Sequence, residues 1–415
     1  MNDGQRLAGT EELTVTEADR YTAALADLAV NFGANVQPGQ IVSLGSEPGK
    51  EHLARAIAEA AYAAGAKFVD LTVFDVYFKR ARALHADPES LRFVPPWIGE
   101  RMLALGEHRC ARISMSGPVA PRALDGIDPG LISLDMLPRV PESMQVLNDA
   151  TTNWTIVPCP TAAWATLVHP RLEPAAALER LWSEITHVCR LDEPDPVAAW
   201  QARQDQLIDV TAKLDGLALA SLHFEGPGTD LIVGLLPSSR WTAARFQTVD
   251  GITHAPNLPT EEVFTTPDPV RVEGTVTATK PLFTSGTTIT GLRIRFEGGR
   301  AVQIDADQGA EVMRGMVDHD EGAARLGEVA LVDRDGRIGP LGTVFYDTLL
   351  DENAASHVAL GQAYALCVGD PGDRERMNAS EIHTDFMIGG DEVAVTGLRP
   401  GGDRVPLLRD GRWQV

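Results

Sequence analysis

The sequence predicts an α/β domain with a parallel sheet at the N-terminal end, followed by an α+β domain whose strands are mostly antiparallel. Three observations predict it. A strand, helix and strand follow one another between residues 40 and 74, a break rich in Asp and Pro falls at residues 191–199, and polar and apolar residues alternate from Leu217 onward. The expected domains are 1–200 and 201–415.

Residues 21–32 read as a helix through the apolar face of Leu25, Leu28 and Val30. Residues 40–44 are a short β-rich strand and 45–50 are turn material. Residues 51–64 then place Leu53, Ile57, Ala60, Ala61 and Ala64 at helical spacing before Gly65 ends the run. Residues 68–74 are a continuous apolar strand, as expected of a parallel sheet buried on both faces. Further short strands are expected at 109–114, 130–134 and 155–158, and a helix at 175–190. Beyond the break, Leu292, Ile294 and Phe296 alternate on one side of Gly298 and Gly299, with Val302 and Ile304 on the other, which marks a tight hairpin. Two helices, 307–317 and 352–368, interrupt the antiparallel region, and a second hairpin turns at Asp410 and Gly411.

The chain has 415 residues, 44% hydrophobic and 23% charged, enough for one large core or two smaller ones. That composition excludes a disordered, collagenous or disulfide-dense protein. A net charge of -22 repels phosphate backbones and anionic lipid, so nucleic acid is not an expected partner. No run of 18 apolar residues exists to span a bilayer. Glu11, Glu12, Glu17, Asp19 and Asp27 oppose an export signal, and the expected location is the cytoplasm. Cys110, Cys159, Cys189 and Cys367 are far apart and read as small buried hydrophobes.

The glycine-containing turn at 45–50 does not make a phosphate loop. Gly45, Gly49 and Lys50 fall one residue short of the required spacing, and Glu51 stands where a Ser or Thr belongs. The chemistry concentrates later. If Ile382, Phe386 and Ile388 mark a strand, Glu381, His383 and Asp385 project from one face at two-residue spacing. Burying such a row is costly unless a cation neutralises it, and a solvent-facing polar strand is the competing reading. His357 and Tyr364 lie seven residues apart in an alanine-rich run and share a face if that run is helical. Glu328 enters an apolar strand, and of the neighbours Glu261 and Glu262 only one can face a shared site. His254 either lines a cleft or is a hydrogen-bonded loop histidine, and His319 reads as part of a solvated helix end. Trp154 and Trp164 either wall a pocket or pack in a core.

At these residues the chain resembles a known family, the metal-dependent aminopeptidases of peptidase family M29. The likeness runs from residues 30–40 to 387–390 and is strongest at 224–231, 257–265, 327–330, 355–357 and 380–385. The resemblance implies that Glu262, Glu328, His357, His383 and Asp385 hold two divalent metal ions, zinc, cobalt or magnesium, with Tyr364 beside them. It also implies a C-terminal catalytic domain, a homodimer and peptide substrates with a free N-terminus. Combined with general metal chemistry, it makes Tyr364 an oxyanion donor and Glu261 or Glu381 a proton shuttle. Two rivals stand against it. One is a mononuclear iron, ring-cleaving dioxygenase on the same fold, which needs fewer ligands than this chain retains. The other is a non-catalytic binding protein on a peptidase scaffold.

Overall fold

The computed structural model describes residues 17–135, 137–138, 140–284 and 287–415. The acidic start at Glu11 and Glu12 lies outside them. Helix α1 (Glu17–Leu28) continues into a wider turn at Ala29–Gly33. The chain then runs through β1 (Ile41–Ser46), α2 (Glu51–Ala63), β2 (Phe68–Val73), β3 (Ala111–Ser116) and β4 (Trp154–Pro158). These strands form a parallel sheet in the order β2-β1-β3-β4. On α2 the residues Leu53, Ile57 and Ala61, one per turn, are fully buried against it.

Two expectations for this half are corrected. β2 is an outer strand with Phe68, Leu71 and Val73 more than half exposed, because no strand pairs beyond it among the described residues. Residues 130–134 are helical, not a strand. Asp128 accepts a hydrogen bond from the Gly130 N–H at 2.8 Å and starts the helix Pro129–Leu134, whose first residue is proline. The expected break at 191–199 is a corner between α3 (Pro174–Val188) and α4 (Pro196–Gly216). Asp195 caps α4 through the Ala198 N–H, and Trp200 Nε1 donates to the Cys189 carbonyl at 2.9 Å across the corner. Helix α4 therefore runs straight through residue 200.

The second half is antiparallel. An eight-stranded sheet is built from residues 221–235, 267–277, 293–305 and 394–413, with both expected hairpins in place. A five-stranded sheet carries the chemistry. Its strands are β5 (Thr242–Ala243), β6 (Glu262–Thr265), β7 (Leu326–Val332), β8 (His357–Gly361) and β9 (His383–Met387), in the order β9-β8-β7-β6-β5. Val263, Val329, Leu331, Val358, Leu360 and Phe386 point from one face into a core shared with the larger sheet. A separate core surrounds the parallel sheet and takes in Leu258, Ile338, Phe345 and Leu350 from the second half.

The expected helix at 352–368 is a correction with consequences. Only the single turns Glu352–Ala354 and Ala365–Cys367 are helical, and between them His357–Gly361 is a fully buried strand flanked by two others. The alanines that suggested a helix are the small residues that a crowded sheet face requires. The helix expected at 307–317 begins at Ala310. Among the described residues no helix is long and apolar enough to cross a membrane. All four cysteines are buried and unpaired, as expected.

Candidate metal centre

Strand periodicity builds the site. Glu262 pairs with Val332, His357 with Ala330, and Ala359 with both Glu328 and Asp385. Side chains opposite one another in register share a face. Glu262, Glu328, His357, His383 and Asp385 therefore converge on the face of β6–β9 opposite the apolar core. Ala330, Ala359 and Gly361 stand between them and leave room above the sheet. Two glycines make this packing possible. A Cβ on Gly327 would meet the Gly361 carbonyl at 2.3 Å, and Gly361, at φ +102°, would place one 2.1 Å from the Ile382 carbonyl. The register shifts at Gly327, between Leu326 and Glu328, and that bulge brings Glu328 to the site.

The donor atoms fall into two groups. Glu262, Glu328 and His357 form one, and Glu328, His383 and Asp385 form the other, each with its atoms within 4.8 Å of one another. Glu328 belongs to both. His357 Nε2 lies 3.0 Å from Glu262 and 4.0 Å from Glu328, while His383 Nε2 lies 3.3 Å from Glu328 and 3.4 Å from Asp385. Each imidazole is oriented by its far nitrogen. Nδ1 of His357 is 3.2 Å from the Ala355 carbonyl and Nδ1 of His383 is 2.7 Å from the Gln362 carbonyl. A carbonyl only accepts, so Nδ1–H donates in both, and Nε2 is left facing the carboxylates as a ligand would be.

Burial and the negative charges of Asp385 and Glu262 push the Glu328 carboxyl up against the pull of His383. Burial opposes protonation of His357, yet Glu262, Asp385 and Glu328 drive it up to about 9. His383 is likewise raised, against burial, by Asp385 and Glu328. Glu262 Oε2 is buried and faces His357 Nε2 at 3.0 Å. Burying an ion costs several kcal/mol even after relaxation, so so many carboxylates on one dry face call for divalent charge. Oxygen and nitrogen donors of this kind suit zinc and related ions. The residues present fit such cations.

Sequence reading missed Glu352. It lines the same cavity, and burial together with Asp385, Glu262 and Glu328 raises its carboxyl well above the usual range. Placing residues 352–368 on one helix hid it. Asp347 and Asp351 hold its loop in place. Asp347 accepts from the Gly117 N–H at 2.8 Å at the end of β3, and Asp351 accepts from the N–H groups of Phe345 and Asp347 at 2.8 and 3.1 Å. The parallel-sheet half thus fixes a loop of the metal-binding half.

Other expected residues lie elsewhere. Tyr364 does not share a helix with His357, but its hydroxyl is 3.5 Å from His383 Nε2 and it lines the cavity. Glu261 is fully buried away from the ligands, its two oxygens held by Arg190 at 2.8 Å and Arg203 at 2.6 Å. Glu381 precedes β9 and is not in it. It is 62% exposed and pairs with His319 Nε2 at 2.8 Å. His319, expected in solvent, has a side chain only 3% exposed and lines the cavity. His254 is buried between Trp154 and Phe246 with neither ring nitrogen hydrogen-bonded, and burial holds it down at about 4. Trp154 walls the cavity, whereas Trp164 is core, its Nε1 donating to the Phe345 carbonyl.

The cavity measures about 530 Å³ and draws on both halves, with Lys79, Trp154 and Ile156 from the first and Phe246, Leu282 and Met316 from the second. A concave apolar space over a cluster of carboxylates and imidazoles is the architecture of a metal-dependent hydrolase. Comparison with known proteins narrows the class. A family model described as thermophilic metalloprotease (M29) matches residues 18–413. The chain is 41% identical over 404 residues to aminopeptidase T of Thermus thermophilus, covering 95% of this chain and 99% of that protein. It is 36% identical over 401 residues to aminopeptidase PepS of Streptococcus thermophilus, covering 94% and 97%. The solved structure of wild-type AmpT from Thermus thermophilus superposes with a TM-score of 0.87 at 41% identity, over 95% of this chain and 99% of that one. The chain belongs to the M29 metalloprotease family.

Proposed function

We propose that this chain is a metallo-aminopeptidase that removes N-terminal residues from peptides, with Glu262, Glu328, His357, His383 and Asp385 holding two divalent cations such as zinc, cobalt or magnesium. The observation that carries it is the membership of Glu328 in both donor groups, so that its carboxylate would be offered to either ion and help to hold both. When bound, such cations lower the pKa of water toward neutrality and polarise a carbonyl. Tyr364, beside His383, donates a hydrogen bond to the oxygen that gains charge as the peptide carbonyl is attacked. Glu352 lines the cavity outside both donor groups and is placed to hold the proton on its way to the leaving amine. That role passes to it because two guanidiniums occupy Glu261 and His319 engages Glu381.

Elemental analysis of purified protein, with an aminoacyl anilide assay before and after EDTA, tests the reading. Two ions per chain and EDTA-sensitive release are expected. One iron per chain without peptidase activity would instead favour the ring-cleaving dioxygenase, and metal-independent ligand binding the non-catalytic scaffold. The working division is 1–200 and 201–415, supported by two cores that hand over along α4, Trp200 lying in the first and Leu207 in the second, although the first also takes in Leu258, Ile338, Phe345 and Leu350. A homodimer is supported by apolar side chains more than half exposed at Phe68, Leu71, Phe78, Phe93 and Trp97, since such exposure marks association surfaces. A cytoplasmic location agrees with four buried cysteines that form no disulfide.

A further inference from the structure

We infer that Asn353 is a positioning residue for the metal centre, tying the strand that presents Glu262 to the turn that presents Glu352. The inference rests on the metal-binding reading above. Asn353 is 1% exposed. Its Oδ1 accepts from the Glu261 backbone N–H at 2.6 Å, and its Nδ2 donates to the Leu349 carbonyl at 3.0 Å. The two elements joined by this one amide are 92 residues apart in sequence. Each neighbours a cavity carboxylate, since Glu262 follows Glu261 and Glu352 precedes Asn353.

The anchor at the other end is stiff. The Glu261 carboxylate is held by Arg190 at 2.8 Å and Arg203 at 2.6 Å, and Arg203 also reaches Asp333 at 3.1 Å, just beyond the end of β7. Arg190 stacks over Trp200, its guanidinium carbon 4.8 Å from the ring centroid. Glu261 therefore cannot swing to follow a displaced Asn353. The edge of β6 is fixed laterally by the arginines, and Asn353 fixes the Glu261 backbone amide, one residue before Glu262. A ligand whose neighbouring backbone is untethered samples more orientations, and loss of an outer partner of a metal ligand costs about 10- to 100-fold in metal affinity.

The test uses full-length protein stripped of metal and titrated with cobalt, followed by the visible absorption of the bound ion. Asn353→Ala should weaken at least one of two cobalt sites by about 10- to 100-fold and change its band shape. Asn353→Asp keeps an acceptor for the Glu261 N–H and should recover most of the affinity, even though both variants unfold at lower temperature than the parent. Asn353→Ser ends short of the amide, fills more of the space than alanine, and stands in should Asn353→Ala fail to fold. Parental cobalt affinity and spectrum in Asn353→Ala or Asn353→Ser would overturn the assignment, as would equal loss in Asn353→Asp. A parent protein that binds no pair of cobalt ions would instead overturn the two-metal reading itself.

Discussion

Two adjacent glutamates at the start of β6 face opposite ways and meet opposite electrostatic surroundings. Glu261 enters a region where Arg190, Arg203 and Asp333 complete a buried ion network, so its charge is answered by protein. Glu262 enters a region where Glu328, Asp385 and Glu352 gather beside two imidazoles, with no arginine or lysine paired to it among the described residues. Both glutamates are buried. The first region stores stability, while the second leaves negative charge to be satisfied by something that binds. A one-residue step along a strand separates scaffold from chemistry.

The comparison breaks most decisively at Glu328. Glu328→Ala removes the carboxylate common to both donor groups and should cut kcat/KM by about 1,000-fold, which is about 4 kcal/mol of transition-state stabilisation. Its metal content should fall below two per chain; a variant that keeps both ions and its turnover would show that the shared carboxylate is no bridge. Next comes Glu261→Gln, which leaves two buried guanidiniums under-neutralised. Urea unfolding should show a loss of about 3 kcal/mol with metal content retained. If metal is lost while stability is not, the two regions have been assigned the wrong way round.

Tyr364→Phe sharpens the picture within the second region. It should lower kcat by about 10- to 100-fold without altering metal content, as expected of a single oxyanion donor. Unchanged turnover removes the tyrosine from the mechanism. The smallest effect is a pH dependence. In the metal-free site His357 is raised to about 9, so its proton is present below that pH and must be displaced by an incoming cation. Cobalt affinity should therefore climb with pH, about tenfold per unit for each proton released, and level off for this group above about 9. A flat cobalt titration between pH 7 and 8 would mean that no ligand proton is displaced.

Strand positions were legible in the sequence where apolar residues alternate, as around His383 and the Gly298-Gly299 hairpin, or run on continuously, as after Glu328. They were not legible at His357. Alanine spacing in that run matches a helix, and only the neighbouring strands, which need small side chains under a crowded site, decide otherwise. Glu352 was lost with it, because its position depends on Asp347 and Asp351 bonding backbone groups that local sequence does not pair. The placement of Glu381 failed for a related reason. Its backbone N–H is taken by Asp320 at 2.7 Å, which ends the strand pattern two residues before His383. Long-range partners of this kind leave no local signature.

The cavity has walls from both halves of the chain and a volume of about 530 Å³. A folded domain of 100 residues has a radius of gyration of about 13 Å and has no way in. A space of that size between Trp154 and the carboxylates has room for a short stretch of extended chain and not for a packed domain.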